Sequence, residues 1–539
     1  MKKDRNQNKT FFSALEIAFC VFLSRITGLL RDIVFASFLG TGIIAEAFYV
    51  AFRLPNTFRR IFAEGAFTNA FAPFFSSKVK ENRLIANNFS AKILVILLSF
   101  LIILTLLVEV FMPSIIKIIS PGFLTDNNKF TLAVTLSRIA FPYVILISVT
   151  AFFGSLLNSI GSFWQFSFVS VLLNLIFIFG LFFTKNLYLN IGVYLSYLLI
   201  FAGVAQVIFV SFFCVKKALF PSFKSVFFLR KNNDYSNNDN YCNFNVEFER
   251  IEENKKDVIL FIKKLIPAVI SSGILQINIF VDGIFASFFP GAISYLYYSD
   301  RIGQFPLSII GYSLSVAILP FLSIAFKEKN YDEVAVLQQR SFNIAVFFSV
   351  PATLIIYALS EQIVSLFYQH GSFTHIDTRI VAIMLSIYAI SIPFNILSKI
   401  IFSCFYAQKD TKTPMKISIF SLILNVVMNL ILIRIIGMYC VIVSTTMSAI
   451  LSCIVAILLL KKDKKFYINS SNFKFLIKVV FVSIISCVFV PLLFFKLNLF
   501  LILIIIGCSY LALCVATNII PISFIGNFFS KIKKVSKMY

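Results

Sequence analysis

Charge is scarce in this 539-residue chain: 13% of its residues are Asp, Glu, Lys or Arg, against 59% that are hydrophobic. A core of that composition cannot be covered by its own polar surface, so lipid must solvate much of the chain. Histidine is nearly absent, with two residues, and there is a single tryptophan. No GxxxxGKS or GxxxxGKT phosphate loop, no GxSxG elbow and no HExxH pair occurs, so the common signatures of nucleotide-driven pumping, serine hydrolysis and zinc proteolysis are missing. The two histidines, His370 and His375, share one short polar stretch and read as solvated loop residues rather than metal ligands. Nine cysteines occur without any CxxC spacing, and Cys20, Cys404, Cys453, Cys487, Cys508 and Cys514 sit inside apolar runs, which argues against a zinc site or a disulfide framework. The expectation is a protein that is not an enzyme, needs no organic cofactor and draws its energy from an ion gradient, the membrane potential or substrate flux.

Long apolar runs are what the chain has instead, and its mean hydropathy is +0.91. A span needs roughly 20 apolar residues, and about fourteen such stretches can be counted. They are 11–31, 33–63, 93–116, 131–157, 164–184, 190–214, 258–289, 294–325, 341–368, 378–406, 414–434, 437–460, 475–495 and 498–522. Runs such as ILVILLSFLIILTLLVEVF are apolar at every position, whereas a membrane barrel needs alternation. The fold class is therefore an all-α polytopic membrane protein. The first stretch carries Arg25 and Arg31 and precedes no small-residue cleavage pattern, so it reads as a retained span.

The formal charge of +24 is spread over short loops, which excludes a nucleic-acid partner better than it supports one. With the N-terminus on the cytoplasmic side, 33 of the 48 Lys and Arg residues fall there and only six, including Lys117 and Lys129, fall on the other. That asymmetry predicts both termini inside. The stretch 216–257, with KNNDYSNNDNYCNFN, is too polar to fold alone and reads as a cytoplasmic linker.

The parts before and after that linker resemble each other. VFASF at 34–38 recurs as IFASF at 284–288, and Pro55, Pro142 and Asn174 recur 251 residues later as Pro306, Pro393 and Asn425. Proline and asparagine are uncommon inside spans, so the matches indicate duplication. The organisation predicted is an N-lobe over 1–215, the linker over 216–257, a C-lobe over 258–466, and two further spans with a basic tail over 467–539. An even number of spans per lobe gives the lobes one orientation, so two pseudo-symmetric six-helix lobes could rock about a central cavity.

A charge at bilayer depth costs at least roughly 2.5–3.5 kcal/mol and needs a partner or a wet cavity. Such charges concentrate in the first, second and eighth spans. Glu46, Arg53, Arg60 and Glu64 are spaced so that they lie within about 40° of one helical face, with Pro55 perturbing the phase. Arg25, Arg31 and Asp32 mark the first span, and Asp300, Arg301 and Gln304 the eighth. Interhelical ion pairs that fix packing are one reading of these groups, and interfacial snorkelling is another for Arg59 and Arg60. Arginine outnumbers carboxylate, however, and a guanidinium excess at a cavity calls for an external anion, for which phosphate or pyrophosphate is the natural bidentate partner.

The strings SRITGLLRDIVFASFLG (24–40), AEAFYVAFRLPNTFRRIFAEGAF (45–67), PGF (121–123), FPYVILIS (141–148), YYSDRIGQFP (297–306), LFYQHGSFT (366–374) and DTKTPMKI (410–417) resemble the MurJ (MviN) family of lipid II flippases, within the multidrug/oligosaccharidyl-lipid/polysaccharide exporter superfamily. The resemblance covers spans 1 to 12. It implies a cavity between the lobes that receives lipid II, the undecaprenyl-pyrophosphate disaccharide-pentapeptide precursor of peptidoglycan, and carries it across the bacterial inner membrane. By motif position it implies Arg25, Arg31, Asp32, Glu46, Arg53, Asp300 and Arg301 at the substrate site, with Arg59, Arg60 and Glu64 near a cytoplasmic gate. Spans 13 and 14 would hold the polyprenyl tail. Some members bind sodium, and the similar positions here are Asp282, Asn425, Asn429, Val441 and Thr445. Asn429 replaces a carboxylate of those members, Glu46 replaces an Asp, and Gln304 replaces a common Glu. Expected partners are lipid II, membrane lipids and proteins of cell-wall synthesis and division. The competing readings are a flippase for another polyprenyl-pyrophosphate oligosaccharide, a small-molecule exporter, and a scaffold for cell-wall enzymes.

Overall fold

The computed structural model describes residues 2–61, 67–183, 190–221, 259–263, 265, 276–462, 466–489 and 498–519. Every regular element among them is helical. Ten helical segments are long and apolar enough to cross a membrane. The difference from the fourteen expected has three sources. The second span carries Glu46, Arg53, Arg59 and Arg60, the first and seventh are not among the ten, and the eleventh and twelfth run together as 412–462. Large apolar side chains also face outward in numbers that a water-soluble surface would not tolerate, Val110 at 70% exposure among them. The chain is a multi-pass membrane protein.

It folds as two compact units, Met1–Ser294 and Tyr295–Tyr539. The first begins with α1 (Lys2–Leu39) and α2 (Ile43–Ile61), then α3 (Phe67–Glu81) and α4 (Arg83–Ile119). A short turn of 3-10 helix, Pro121–Thr125, leads into α5 (Asn127–Ala140), α6 (Tyr143–Ser159), α7 (Trp164–Phe182) and α8 (Ile191–Lys216). The helix α9 (Gln276–Ala286) closes the unit. Of the expected linker, residues 222–257 lie outside the described residues.

Three boundaries differ from the sequence expectation. The break expected at Arg31–Asp32 is absent: α1 runs on to Leu39 and stops where Gly40 takes φ +58°, a left-handed conformation that suits glycine. The stretch left between the second and third expected spans is helical from Phe67 onward, interrupted only at Asn82 between α3 and α4. Conversely the span expected over 131–157 is two helices, because Pro142 lacks the N–H that would continue α5 into α6.

Aromatic packing holds this unit. Phe35 of α1 meets Phe177 of α7 edge to face at 5.3 Å, and Phe67, Phe71, Phe75 and Phe89, all fully or nearly buried, form a stack across α3 and α4. Two buried polar side chains in the same region satisfy each other: Tyr143 donates to Gln206 Oε1 at 3.0 Å, and Gln206 Nε2 donates to the Val169 carbonyl at 2.9 Å.

The second unit contains most of α10 (Ala292–Pro306), a π-helical turn at Leu307–Tyr312, α11 (Ser313–Lys327), α12 (Tyr331–Ala358), α13 (Ser360–Tyr368), α14 (His375–Ala407), α15 (Lys412–Ile436), α16 (Cys440–Lys462), α17 (Ser470–Ile484) and α18 (Leu499–Ala516). Its core joins Ile318 and Leu322 of α11, Ile401 and Phe405 of α14, Ile417 of α15 and Leu460 of α16. The last two helices are docked: Tyr510 of α18 donates to the Phe347 carbonyl of α12 at 2.8 Å, and Asn472 of α17 donates to Asn343 Oδ1 at 2.8 Å.

Two motif strings have structural explanations here. In LFYQHGSFT, Tyr368 is fully buried, with its ring 4.8 Å from Tyr298 and 5.9 Å from Phe373, so the string clamps the turn of α10 that precedes Arg301. In DTKTPMKI, Asp410 Oδ1 accepts the N–H groups of Lys412 and Thr413 at 3.0 Å each and caps α15. Bonding to Thr413 holds that carboxyl below its ordinary range.

Candidate functional site

The polar stripe expected along α2 exists, and it faces α9 and the residues after it. Arg53 Nη1 donates to the Ile279 carbonyl at 3.3 Å, and Arg60 Nη1 reaches Gln276 Oε1 at 3.5 Å. Both acceptors belong to α9. Glu46, 1% exposed, accepts the Ile293 N–H at 3.3 Å and pairs with Lys129 Nζ at 2.5 Å. Arg59 Nε bonds Asn56 Oδ1 at 2.9 Å, one turn back on its own helix. Glu64, the fourth member of the stripe, lies outside the described residues.

Arg31 and Asp32 are taken up by packing. Arg31 is 5% exposed and Asp32 2%, and the guanidinium bonds Asp32 Oδ1 through Nη2 at 2.7 Å and Nε at 3.1 Å. Its Nη1 donates to Asn174 Oδ1 at 3.1 Å, while the rings of Phe35 and Phe52 lie 5.4 and 5.9 Å away. Asn174 completes the seam by donating to Thr27 Oγ1 at 3.1 Å. The repeated asparagine of the first lobe is thus the residue that ties α7 to α1. The ion pair joins adjacent residues of α1, and the bond from Arg31 that fixes helix packing is the one to Asn174 of α7. Arg25, two turns earlier on α1, is exposed.

In the second unit, Arg301 is half-buried on α10, with its guanidinium 4.8 Å from the centre of the Tyr297 ring and Nη2 3.4 Å from that phenol oxygen. Asp300 accepts Gln304 Nε2 at 2.5 Å, so the glutamine that replaces a family glutamate holds the neighbouring carboxylate by a hydrogen bond. Gly303 lets α10 approach α14 closely: a Cβ there would stand 2.2 Å from Tyr388 Cδ1.

The positions compared with a sodium site divide between the units. Asp282 belongs to α9 in the first. In the second, Asn425 Nδ2 donates to Thr445 Oγ1 at 3.1 Å, and Asn429 Nδ2 donates to Asn425 Oδ1 at 3.0 Å. Asn429 Oδ1 is buried and accepts no hydrogen bond from any described residue, and Val441 is buried one turn before Thr445. An orphaned buried carbonyl oxygen among neutral oxygen donors suits a hard monovalent cation. No group of three or more His, Cys, Asp or Glu among the described residues could hold a metal ion, so any cation here would have mainly neutral ligands.

Sequence reasoning missed three contributors. Lys129 was placed among external loop residues, yet it is 7% exposed, bonded to Glu46 and 4.1 Å from the centre of the Phe123 ring. Its one legible signal was the neighbouring PGF string, which supplies that ring. Gly283 is the second: a Cβ there would lie 1.9 Å from Arg53 Nη1, so the glycine makes room for the guanidinium. Gly283→Ala is therefore expected to displace Arg53 while leaving the fold in place, because a terminal guanidinium moves more readily than backbone. Activity should fall about tenfold at unchanged membrane level, a loss that corresponds to one charge-assisted hydrogen bond. In a cycle with Arg53→Lys the two losses should not add, and full additivity would show that Gly283 acts elsewhere. Lys399 is the third contributor and is taken up below.

The family model described as lipid II flippase MurJ matches residues 35–510. A probable lipid II flippase MurJ of Rickettsia prowazekii (strain Madrid E) is 40% identical over 423 residues, 78% of each chain. That of Rhizobium tropici is 34% identical over 414 residues, covering 76% of this chain and 73% of its own. One from Buchnera aphidicola subsp. Baizongia pistaciae (strain Bp) is 31% identical over 495 residues, covering 91% of this chain and 90% of its own. A solved structure of lipid II flippase MurJ in an inward closed conformation superposes with a TM-score of 0.74 at 25% identity, covering 93% of this chain and 98% of that one. An inward-facing multidrug resistance MATE family transporter of the MOP superfamily shares the fold alone, at 14% identity and a TM-score of 0.65, over 86% of this chain and 99% of its own.

Proposed function

This chain belongs to the MurJ family of lipid II flippases, and from that membership we propose that it carries lipid II from the cytoplasmic leaflet of the bacterial inner membrane to the opposite leaflet. The observation that carries the reading is the family match across residues 35–510, which includes the arginine-bearing strings of α2 and α10. Those strings put guanidinium groups at helix positions where a diphosphate is their natural counterion. Arg25, Arg53 and Arg301 bind the pyrophosphate, and Arg31 with Asp32 keeps α1 in register so that Arg25 is presented. Arg59, Arg60 and Glu64 serve the cytoplasmic end, and the excess of basic residues in the flanking segments supports a cytoplasmic side for both termini. Transport proceeds by alternating exposure of these cations to the two sides, with release when the electrostatic fit weakens. The test is depletion of the protein in its host. Lipid II should accumulate where an externally added modifying enzyme cannot reach it, and undisturbed lipid II turnover would favour another cargo or a scaffold.

Sodium is the ion we propose for coupling, held by oxygens of Asn425, Asn429, Thr445 and Val441. The orphaned Asn429 Oδ1 supports this. Replacing sodium by potassium in proteoliposomes should slow transport several-fold, and Asn429→Ala should remove that dependence. Equal rates in the two salts would exclude it.

A further inference from the structure

One intramembrane cation is left over by this account. Lys399 lies in the apolar run FNILSKIIF of α14, eight residues before the helix ends at Ala407, or about 12 Å along the axis. Its Nζ stands 3.6 Å from the centre of the Tyr312 ring, and among the described residues it has neither an ion pair nor a hydrogen bond. Tyr312 is 56% exposed, and its hydroxyl likewise has no hydrogen-bond partner among the described residues. An ammonium with three donors and a phenol with one therefore share an open site that the protein itself does not satisfy. At this depth water is scarce, so the group that satisfies them must be brought in.

The backbone around the pair is shaped to present it. Pro306 removes one helical hydrogen bond, and the chain widens into the π-helical turn Leu307–Tyr312 directly after it. Gly311 within that turn leaves room for the lysine stem: a Cβ there would lie 3.1 Å from Lys399 Cδ. The turn continues the helix that carries Arg301, and Tyr312 follows Arg301 by eleven residues, about 16 Å of helix. An interfacial snorkelling lysine would need none of this, since its head would simply reach for water.

We propose that Lys399 and Tyr312 form a second anion site, which takes a phosphate oxygen of the polyprenyl-pyrophosphate cargo on the cytoplasmic side of Arg301. The proposal rests on the flippase reading above and adds a station to it. The ammonium supplies charge without the planar fork of arginine, so the site holds phosphate loosely and can pass it on. The same chemistry could take a bulk phospholipid headgroup, and the experiment separates the two sources.

Purified full-length protein in nanodiscs is titrated with undecaprenyl pyrophosphate and, separately, with phosphatidylglycerol, and bound lipid is read by native mass spectrometry. Lys399→Gln should weaken undecaprenyl pyrophosphate about tenfold, with Lys399→Arg close to wild type, Tyr312→Phe two- to threefold weaker and phosphatidylglycerol unaffected. Unchanged undecaprenyl pyrophosphate binding in Lys399→Gln overturns the proposal, as does a loss confined to phosphatidylglycerol. Arg301→Ala is the control for the parent reading. Loss of binding there with Lys399→Gln unaffected sinks only the second site, whereas loss in Lys399→Gln with Arg301→Ala unaffected sinks only the arginine assignment. Failure of the wild type to bind the pyrophosphate lipid overturns both.

Discussion

Arg301→Ala is expected to reduce lipid II transport by about a hundredfold or more while leaving the protein in the membrane. The size follows from what the side chain offers: a bidentate guanidinium–phosphate contact comprises two charge-assisted hydrogen bonds, each worth about 1.5–3 kcal/mol when both groups are removed from water. The site is held ready for that contact. Tyr298 is fully buried against Tyr368 and Phe373, Gly303 seats the helix on Tyr388, and the Tyr297 ring lies along the guanidinium. Little ordering remains to be done when the anion arrives, so the loss on truncation should appear in transport rather than in stability. Arg301→Lys keeps the charge and loses the fork, and its rate should fall between the two. Complementation of a depleted strain, with membrane level checked in parallel, measures this. Wild-type flux from Arg301→Ala would remove Arg301 from the site.

The second large effect is on stability. Lys129→Ala leaves the Glu46 carboxylate in a nearly closed environment, facing only the backbone N–H groups of Gly291 and Ile293. Breaking one partner of a buried pair costs about 3–5 kcal/mol, because the remaining charge has lost its compensation. That is a large fraction of a typical stability margin of about 5–15 kcal/mol. The variant should show a sharply lower membrane level and a thermal midpoint well below wild type in detergent. Glu46→Gln in the same background should recover much of the loss by removing the orphaned charge. A Lys129→Ala protein as stable as wild type would show that the pair contributes nothing, and failure of the double variant to recover would place the cost in lost packing against Phe123 instead.

Both expectations depend on information of different origin. Arg301 was legible in the sequence, because an arginine inside an apolar run must be accounted for whatever the fold. Glu46 was legible for the same reason, as part of a stripe spaced 7, 7 and 4 along one helix. Its partner was not. Lys129 follows TDNN, a polar stretch that reads as an exposed loop, and only the turn of Pro121–Thr125 folds it inward. Arg31 shows the reverse case: sequence alone gave it the same standing as Arg25, yet one is sealed against Asp32 and Asn174 while the other is exposed. A helical period tells which residues share a face; it does not tell what covers that face.

What the sequence determined by itself is therefore the solvent and the alphabet of the site. Apolar runs of sufficient length leave no soluble alternative, and arginines placed within them demand an anion or an acid. Tertiary structure alone decided which of those charges are satisfied internally, through α7 against α1, the Phe123 turn against α2, and Gly283 against Arg53. The physical reason is range. Hydrophobicity acts residue by residue and is written locally, whereas pairing and close approach depend on partners tens to hundreds of positions away that only the folded chain brings into contact.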